Sequence, residues 1–443
     1  MRAVPIALAL LLVLSAVAGA VPDAADSDRA QPTAPAVSAT PAATPAQTDD
    51  PNVNGSKINV LGIPNEATDR STLETEYVEL GSGLSFSTTT TDTRLATESI
   101  VERIESAETT EVRQQYLLQE VSAIEQRIVS LRAEQRGVIA SYGRGETSPR
   151  RLLYDLALID AEARELERRR ARLQSLSGST PEFSISSSRF GNIELELNTL
   201  TGPIRGHAAA VLRGEVKSAR FFVQSGDNSI TLGVIRDGTY VRETYRGPLR
   251  GTNDGGFSLG DAVNATEAAY PTITAQRLRD DTLGNPDSDS ARVTIEHERG
   301  RLVSFVDSGS RRVFKEYQYR PLDQVSTGSP TSAVKDGLRL TAYRTYPGGP
   351  VRLQLNSTDT DDPVDAQITV GPAGGRSSVV GTTGSDGSLW TLAPAGTYEV
   401  TAIDGSSVVL LTVEPTATPL VYGTVNGSSE SDGTETVSPT PTG

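Results

Sequence analysis

The sequence predicts a multidomain α+β protein: an antiparallel helical hairpin of coiled-coil type, a central α+β domain with antiparallel meanders, and a C-terminal β-sandwich. Three observations lead there. Between residues 94 and 178 apolar residues recur at alternating steps of four and three. Between 183 and 325 the period falls to two, with turn residues between the runs. Between 336 and 415 short runs rich in Val, Thr and Tyr alternate with polar positions. The period is decisive because a helix returns to one face about every 3.6 residues and a strand every two.

At the start of the chain, Arg2 precedes an apolar stretch from Ala3 to Ala18, followed by the small residues Ala18-Gly19-Ala20. This is the pattern of a cleavable signal peptide, so residues 1–20 are expected to be removed by a cut after Ala20. The stretch falls short of the roughly 20 residues that a spanning helix needs, and no membrane span is expected after cleavage. Residues 21–57 are mostly Ala, Pro, Thr, Asp and Gln, and residues 416–443 mostly Ser, Thr, Gly and Pro. Both read as disordered segments, a linker and a tail, because they hold too little apolar surface to offset the entropy of ordering.

In the helical region Leu117, Val121, Ile124, Ile128, Leu131, Val138 and Tyr142 form a heptad seam in which Gln135 takes one place. The pattern breaks at Tyr142-Gly143-Arg144-Gly145 and restarts after Ser148-Pro149, a helix cap followed by a residue suited to the first turn. Leu152, Leu156, Ile159, Ala163, Leu166 and Leu173 continue it, with Arg170 at one seam position. Two such stripes joined by a short turn are expected to zip into a hairpin about 39 Å long. Thr97 to Ala107, with Ile100 and Ile104 on one face, adds a third helix or extends the first arm.

In the central region Ile193-Glu194-Leu195-Glu196-Leu197 alternates as a strand would, and Pro203 to Arg213 reads as a short helix. Strands follow at Ala219–Val223, Ile230–Ile235 and Tyr240–Tyr245, separated by Gly-Asp-Asn and Asp-Gly turns. A second helix runs from Ser258 to Pro271. After a polar loop, strands are expected at Val293–Glu298, Leu302–Val306 and Val313–Tyr319. Both halves therefore read as a helix followed by a meander. The second half, with its helix opening Leu259-Gly260-Asp261-Ala262 and closing at Pro271, resembles the PepSY module, and that resemblance implies an extracytoplasmic regulator of proteases.

The last folded segment carries Pro363-Val364-Asp365-Ala366-Gln367-Ile368-Thr369-Val370, then Asp386-Gly387, then Ala393-Pro394-Ala395-Gly396-Thr397-Tyr398. These runs resemble the carboxypeptidase-regulatory-like, transthyretin-like family of Ig-like sandwiches. The resemblance implies a strand, a turn and a core strand in that order, and a non-catalytic spacer or adhesive role.

The net charge is −15, with 37 Arg against 4 Lys. Together with few large apolar residues, this composition resembles that of a family of uncharacterised exported proteins from salt-loving archaea. Abundant carboxylates keep a surface hydrated where salt screens charge to about 3 Å. No region carries a basic face able to release phosphate counterions, so a nucleic-acid partner is not expected. Cysteine is absent, which removes disulfides, thiolate metal sites and cysteine nucleophiles.

Few residues carry recognisable chemistry. The two histidines, His207 and His297, belong to no His-Glu-X-X-His, and there is no Gly-X-Ser-X-Gly elbow. Asn285, Asp287 and Asp289 with Glu296 have the spacing of a calcium loop, but Ser290 stands where that loop needs Gly and Glu296 where it needs a helix. Asp359, Asp361, Asp362 and Asp365 form a second acidic patch. A solvated loop is the expected reading of both, so no catalytic, cofactor or metal residues are assigned. Four Asn-X-Ser/Thr sequons, at Asn54, Asn264, Asn356 and Asn426, are acceptors for glycan on an exported chain.

The expected function is that of a secreted or cell-surface protein, non-enzymatic, structural or binding a protein partner in the envelope, with no cofactor. A PepSY-like protease regulator is the alternative, and a divergent carboxylate-dependent hydrolase the third reading.

Overall fold

The computed structural model describes residues 58–76, 80–252, 255–285 and 288–422, all within one unit, Pro51–Gly443. The expected signal peptide, the linker to residue 57, the tail beyond 422 and the sequons at Asn54 and Asn426 lie outside the described residues. Among the described residues the first half of the chain holds one strand and five α-helices: β1 (Arg70–Glu76), α1 (Leu80–Glu105), α2 (Thr110–Gly143), α3 (Pro149–Gly178), α4 (Ser187–Leu200) and α5 (Pro203–Leu212). Thr109, Ser148 and Ser186 open α2, α3 and α4 by accepting the backbone N–H of Val112, Arg151 and Arg189. Each side chain satisfies a donor that the first helical turn leaves without a partner.

The apolar seam of α2 and α3 is buried, but these two helices do not close it alone. Its core also takes Ile104 from α1 and Phe190, Ile193, Leu197 and Leu200 from α4, so the arrangement is a bundle of four helices. Helix α4 corrects the strand expected at Ile193–Leu197. Phe190, Ile193, Leu197 and Leu200 recur at steps of three and four, a helical stripe that the alternation of Ile and Leu with Glu conceals. The glutamates are absorbed by ion pairs, Glu194 with Arg170 and Glu196 with Arg132 and Arg250.

The second part supplies β2 (Ala219–Gly226), β3 (Ser229–Arg236), β4 (Thr239–Arg246), α6 (Leu259–Ala269), α7 (Pro271–Ala275), β5 (Arg277–Leu283), β6 (Ser290–His297), β7 (Gly300–Asp307) and β8 (Val313–Pro321). With β1 they make one eight-stranded sheet in the order β1-β2-β3-β4-β8-β7-β6-β5, antiparallel throughout. The two meanders are thus joined edge to edge through β4 and β8. The hairpins of the first meander turn where Asp227-Asn228 and Asp237-Gly238 take positive φ, which suits the twist of the flanking strands. Strand β5 occupies the stretch expected as a polar loop. It is the outer strand, exposed from Arg277 to Asp281, so its charges face solvent and mask the strand signal.

The C-terminal part is a pair of four-stranded antiparallel sheets. One is ordered β14 (Ser388–Leu392), β11 (Pro350–Ser357), β10 (Leu338–Tyr343), β9 (Thr331–Lys335). The other is ordered β13 (Ser378–Thr382), β12 (Gln367–Pro372), β15 (Tyr398–Asp404), β16 (Ser407–Val413). Leu340, Leu353, Ile368, Val400 and Val409 are fully buried between them.

This sandwich is fastened to the large sheet. Tyr240 of β4 donates its hydroxyl to the Gly348 carbonyl at 2.9 Å, within a cluster of Phe222, Tyr240, Leu322 and Leu392 that Trp390 and Leu73 flank. A second connection corrects the expected tail at 416–443, because residues 416–422 return to the sheet. The Thr416 amide reaches the Thr345 carbonyl, and Val60 and Leu420 form a parallel bridge in which Val60 donates to Pro419 and Val421 donates to Val60. Tyr422 accepts the Val313 amide at 2.8 Å. Leu420-Val421-Tyr422 is an apolar triplet, and the half-burial of Val421 and Tyr422 against the core offsets part of the cost of ordering the strap.

Candidate functional site

The main concentration of buried ionisable groups lies where β4 and β8 pair, at the centre of the sheet. Side chains alternate along a strand, so Glu243, Lys315 and Tyr317 point to the face that carries α3 to α5, and Arg242, Glu316 and Gln318 to the other.

On the helical face Arg205 of α5 donates to Glu243 at 2.6 Å, and both side chains are fully buried. Arg205 also reaches the Gln135 side chain and the Leu200 carbonyl. The second Glu243 oxygen accepts the Ile204 amide at 3.3 Å. Lys315 donates to the carbonyls of Thr199 and Thr201, and the Tyr317 hydroxyl donates to Thr201 at 2.6 Å. Burial pushes the Lys315 ammonium well below its ordinary range and the Tyr317 hydroxyl well above its own. Asp160 of α3 accepts the Gly202 amide at 2.8 Å and pairs with Arg164. All these bonds converge on residues 198–205, the junction between α4 and α5. A Cβ at Gly202 would lie 2.1 Å from the Glu243 carboxylate, so only glycine fits there.

On the opposite face Glu316 accepts Tyr270 at 2.7 Å and Gln318 at 3.3 Å, and lies 3.4 Å from Arg242. Arg242 and Gln318 also donate to the carbonyls of Leu61 and Asn59 in the N-terminal strap. Burial raises the Glu316 carboxyl and lifts the Tyr270 hydroxyl well above its usual range. Glu243 and Glu316 stand on opposite faces, so they cannot flank one scissile bond as an acid and base must. Chemically the cluster is a clamp: each carboxylate is held by donors from another element, which fixes how helices and straps seat on the sheet.

A groove of about 710 Å³ lies between α1, α2, α3 and α5. Thr89, Thr90 and Thr93 line one wall and Leu158, Ala161 and Ala209 are apolar lining residues. The charges along it are paired within the molecule: Arg151 with Asp155, Arg127 with Glu162, Arg164 with Asp160, and Arg168 with Glu165.

The residues singled out in the sequence do not meet at one place. His207 is buried in α5, 5.9 Å from the Phe221 ring, and burial lowers its pKa. His297 ends β6 and accepts the Arg299 amide on Nδ1. Burial, reinforced by Arg320 and Arg299, lowers its pKa from 6.5 to about 4. A histidine depressed in this way contributes stability that is full above about pH 6.5 and is lost as the pH falls towards about 4. His297→Gln is therefore expected to flatten the dependence of the urea midpoint on pH across that window. An unchanged slope would assign the dependence to other groups.

Of the calcium-like residues, Asp287 lies outside the described residues, and Glu296 faces Arg301 at 3.9 Å. In the second patch Asp361 pairs with Arg339 at 2.7 Å, Asp365 accepts the Gly384 amide at 2.9 Å, and Asp359 faces solvent. Among the described residues no three carboxylates or histidines are grouped to hold a metal. Asn264 is exposed on α6, while the hydroxyl of its sequon partner Thr266 is buried against Ser304 and the Ala262 carbonyl. Asn356 donates its amide to the Asp361 carbonyl at 2.8 Å.

Sequence reasoning missed the buried clamp, although Gln135, the polar residue in an apolar seam, marked the place from which α2 reaches Arg205.

Three family models match consecutive parts of the chain. Residues 1–217 match "Domain of unknown function (DUF7096)", residues 221–326 match "Family of unknown function (DUF7094)", and residues 329–411 match "Archaeal fibronectin-III type-like domain". The C-terminal match is to a different family of two-sheet sandwich from the one that the sequence resembled. Carboxypeptidase-regulatory-like and fibronectin-III modules are both two-sheet sandwiches, and the strand, Asp-Gly turn and Thr-Tyr strand that suggested the first suit either. The matches agree with an archaeal protein. No curated protein matches the chain. A solved structure, a β-1,2-glucanase from Parabacteroides distasonis, overlaps 43% of this chain and 32% of its own at 10% identity, with a TM-score of 0.15. That overlap is too slight to support a shared fold or activity.

Proposed function

We propose that the protein is a non-enzymatic structural or interaction protein of the cell surface, exported by its N-terminal segment, in which a helical and sheet body carries a fibronectin-III-type sandwich as a fixed head. The observation that carries this reading is the double fastening of that sandwich, through the Tyr240–Gly348 hydrogen bond and the strap at residues 416–422. A module held at two points keeps one orientation, as a spacer or adhesive head requires. Two further features support the surface location. Residues 1–20 have the pattern of a signal peptide, and the acidic composition and scarce lysine suit concentrated salt. The coiled-coil character expected of α2 and α3 belongs to the same proposal, as the stiff part of the body.

Fractionation of native cells, with the mature N-terminus read by mass spectrometry, is expected to find a chain beginning at Val21 in the envelope fraction with a protein partner recovered by crosslinking. Hydrolytic activity in the purified protein, abolished by one carboxylate substitution, would overturn the non-enzymatic reading, and retention of Met1 would overturn cleavage.

A second reading, an extracytoplasmic protease regulator, is favoured by one observation. Helix α6, opened by a capping box of Ser258 and Asp261, packs across the meander of β6, β7 and β8. It requires the full chain to slow an extracellular protease, and a panel showing no inhibition would remove it.

A further inference from the structure

The 26-residue α1 has the composition of a helix that does not hold itself. Its N-terminal half reads Gly-Ser-Gly-Leu-Ser-Phe-Ser-Thr-Thr-Thr-Thr-Asp-Thr from Gly81 to Thr93. Threonine and glycine are poor helix formers, the first through lost side-chain freedom and the second through backbone entropy. The threonine hydroxyls fold back on their own helix: Thr88, Thr89, Thr90, Thr91 and Thr93 donate to the carbonyls of Leu84, Ser85, Phe86, Ser87 and Thr89. Such back-bonding slightly loosens a helix.

Tertiary contacts are equally sparse there. Between residues 81 and 96 Phe86 alone is buried, and Leu84 and Leu95 are 60% and 62% exposed. The Phe86 ring meets Tyr154 edge-on at 6.1 Å and lies under the Arg213 guanidinium. The C-terminal half is different: Thr97 accepts from Arg169, Val101 and Ile104 are buried, and Arg103 pairs with Glu120 of α2. One half is rooted in the bundle core; the other buries one ring, Phe86, and is otherwise tied by surface contacts such as the hydrogen bond from the Tyr154 hydroxyl to Ser85.

That weakly held half is also the wall of the groove, through Thr89, Thr90 and Thr93. We propose that residues 81–96 of α1 form a lid, pegged by Phe86, that opens by local unfolding about the anchored Thr97–Ile104 segment and uncovers both the groove and the Phe86 socket. Elements that gate access are drawn from the least stable parts of a fold, and this half of α1 has few buried apolar contacts and a solvent-exposed outer face.

Hydrogen exchange of the full chain, followed by mass spectrometry, tests the lid. Protection of amides 84–96 is expected to be about 100-fold below that of the cores of α2 and α3. Equal protection would overturn the proposal. Two variants separate local from global opening. Thr88→Ala with Thr91→Ala, at exposed sites, is expected to raise protection within 84–96 about fivefold and to leave α2 and α3 unchanged. Phe86→Ala is expected to remove protection from 84–96 by about 100-fold, again without moving α2 and α3. If either variant shifts α1, α2 and α3 together, the helix opens only with the whole bundle and there is no lid.

Discussion

Glu243→Ala is expected to destabilise the protein by about 3–5 kcal/mol, because it leaves the Arg205 guanidinium fully buried without its carboxylate. Gln135 and the Leu200 carbonyl would remain as neutral acceptors, and they do not replace a counter-charge in a low-dielectric site. The Ile204 amide would also lose its acceptor. The size of the effect does not mean that the ion pair is worth that much. Removing both charges together, as Arg205→Met with Glu243→Leu, is expected to cost far less than the single change, since the desolvation of two charges largely cancels their attraction. A double-mutant cycle on urea midpoints measures the difference. A cost below about 1 kcal/mol for Glu243→Ala would mean that water or a relaxed side chain satisfies Arg205, and the clamp at the α4–α5 junction would lose its basis.

Gly348→Ala is expected to loosen the sandwich from the sheet at a cost of about 2–5 kcal/mol. Gly348 has a φ of 73°, which a side chain rarely adopts, and a Cβ there would lie 2.4 Å from the Phe222 ring. The ring cannot yield freely, because Phe222 is fully buried in the cluster with Tyr240 and Leu392. Trp390 is the only tryptophan in the chain and flanks this cluster, so its fluorescence reports the docking. The variant is expected to shift Trp390 emission to the red and to open residues 325–330 to proteolysis, while the central sheet melts at its original temperature. Unchanged emission would show that the strap at residues 416–422 alone holds the head in place.

Local patterns were legible where one face of an element meets one core. The seam of α2 and α3 is buried as its spacing predicts, except that Ile139 is buried and Val138 half-buried; β2, β3 and β4 form where period-two runs end at Asp-Asn and Asp-Gly turns, and β6, β7 and β8 form on the period-two runs of the second meander. Patterns failed where an element is buried on several sides or on none. Helix α4 packs against α2, α3 and β6 and buries Leu195 in addition to the stripe of Phe190, Ile193, Leu197 and Leu200, and β5 is exposed along most of its length. Strand β1 lies far in sequence from the sheet edge it completes beside β2, and no local signal marks a partner that distant.

By itself the sequence determined the class of the protein: α+β in several parts, helical first, sandwich last, acidic and without cysteine. Only the tertiary structure decided where its charges go. Tyr240-Val241-Arg242-Glu243-Thr244 and Phe314-Lys315-Glu316-Tyr317-Gln318 carry charged residues on both faces, yet every one of these residues is buried. The reason is that a buried charge is stable only beside its partners, and the partners here come from α3, α5, Tyr270 before α7 and the N-terminal strap, distant in sequence. Periodicity records which side chains avoid water on average. It does not record the guanidinium, carbonyl or hydroxyl that another segment brings to meet a carboxylate.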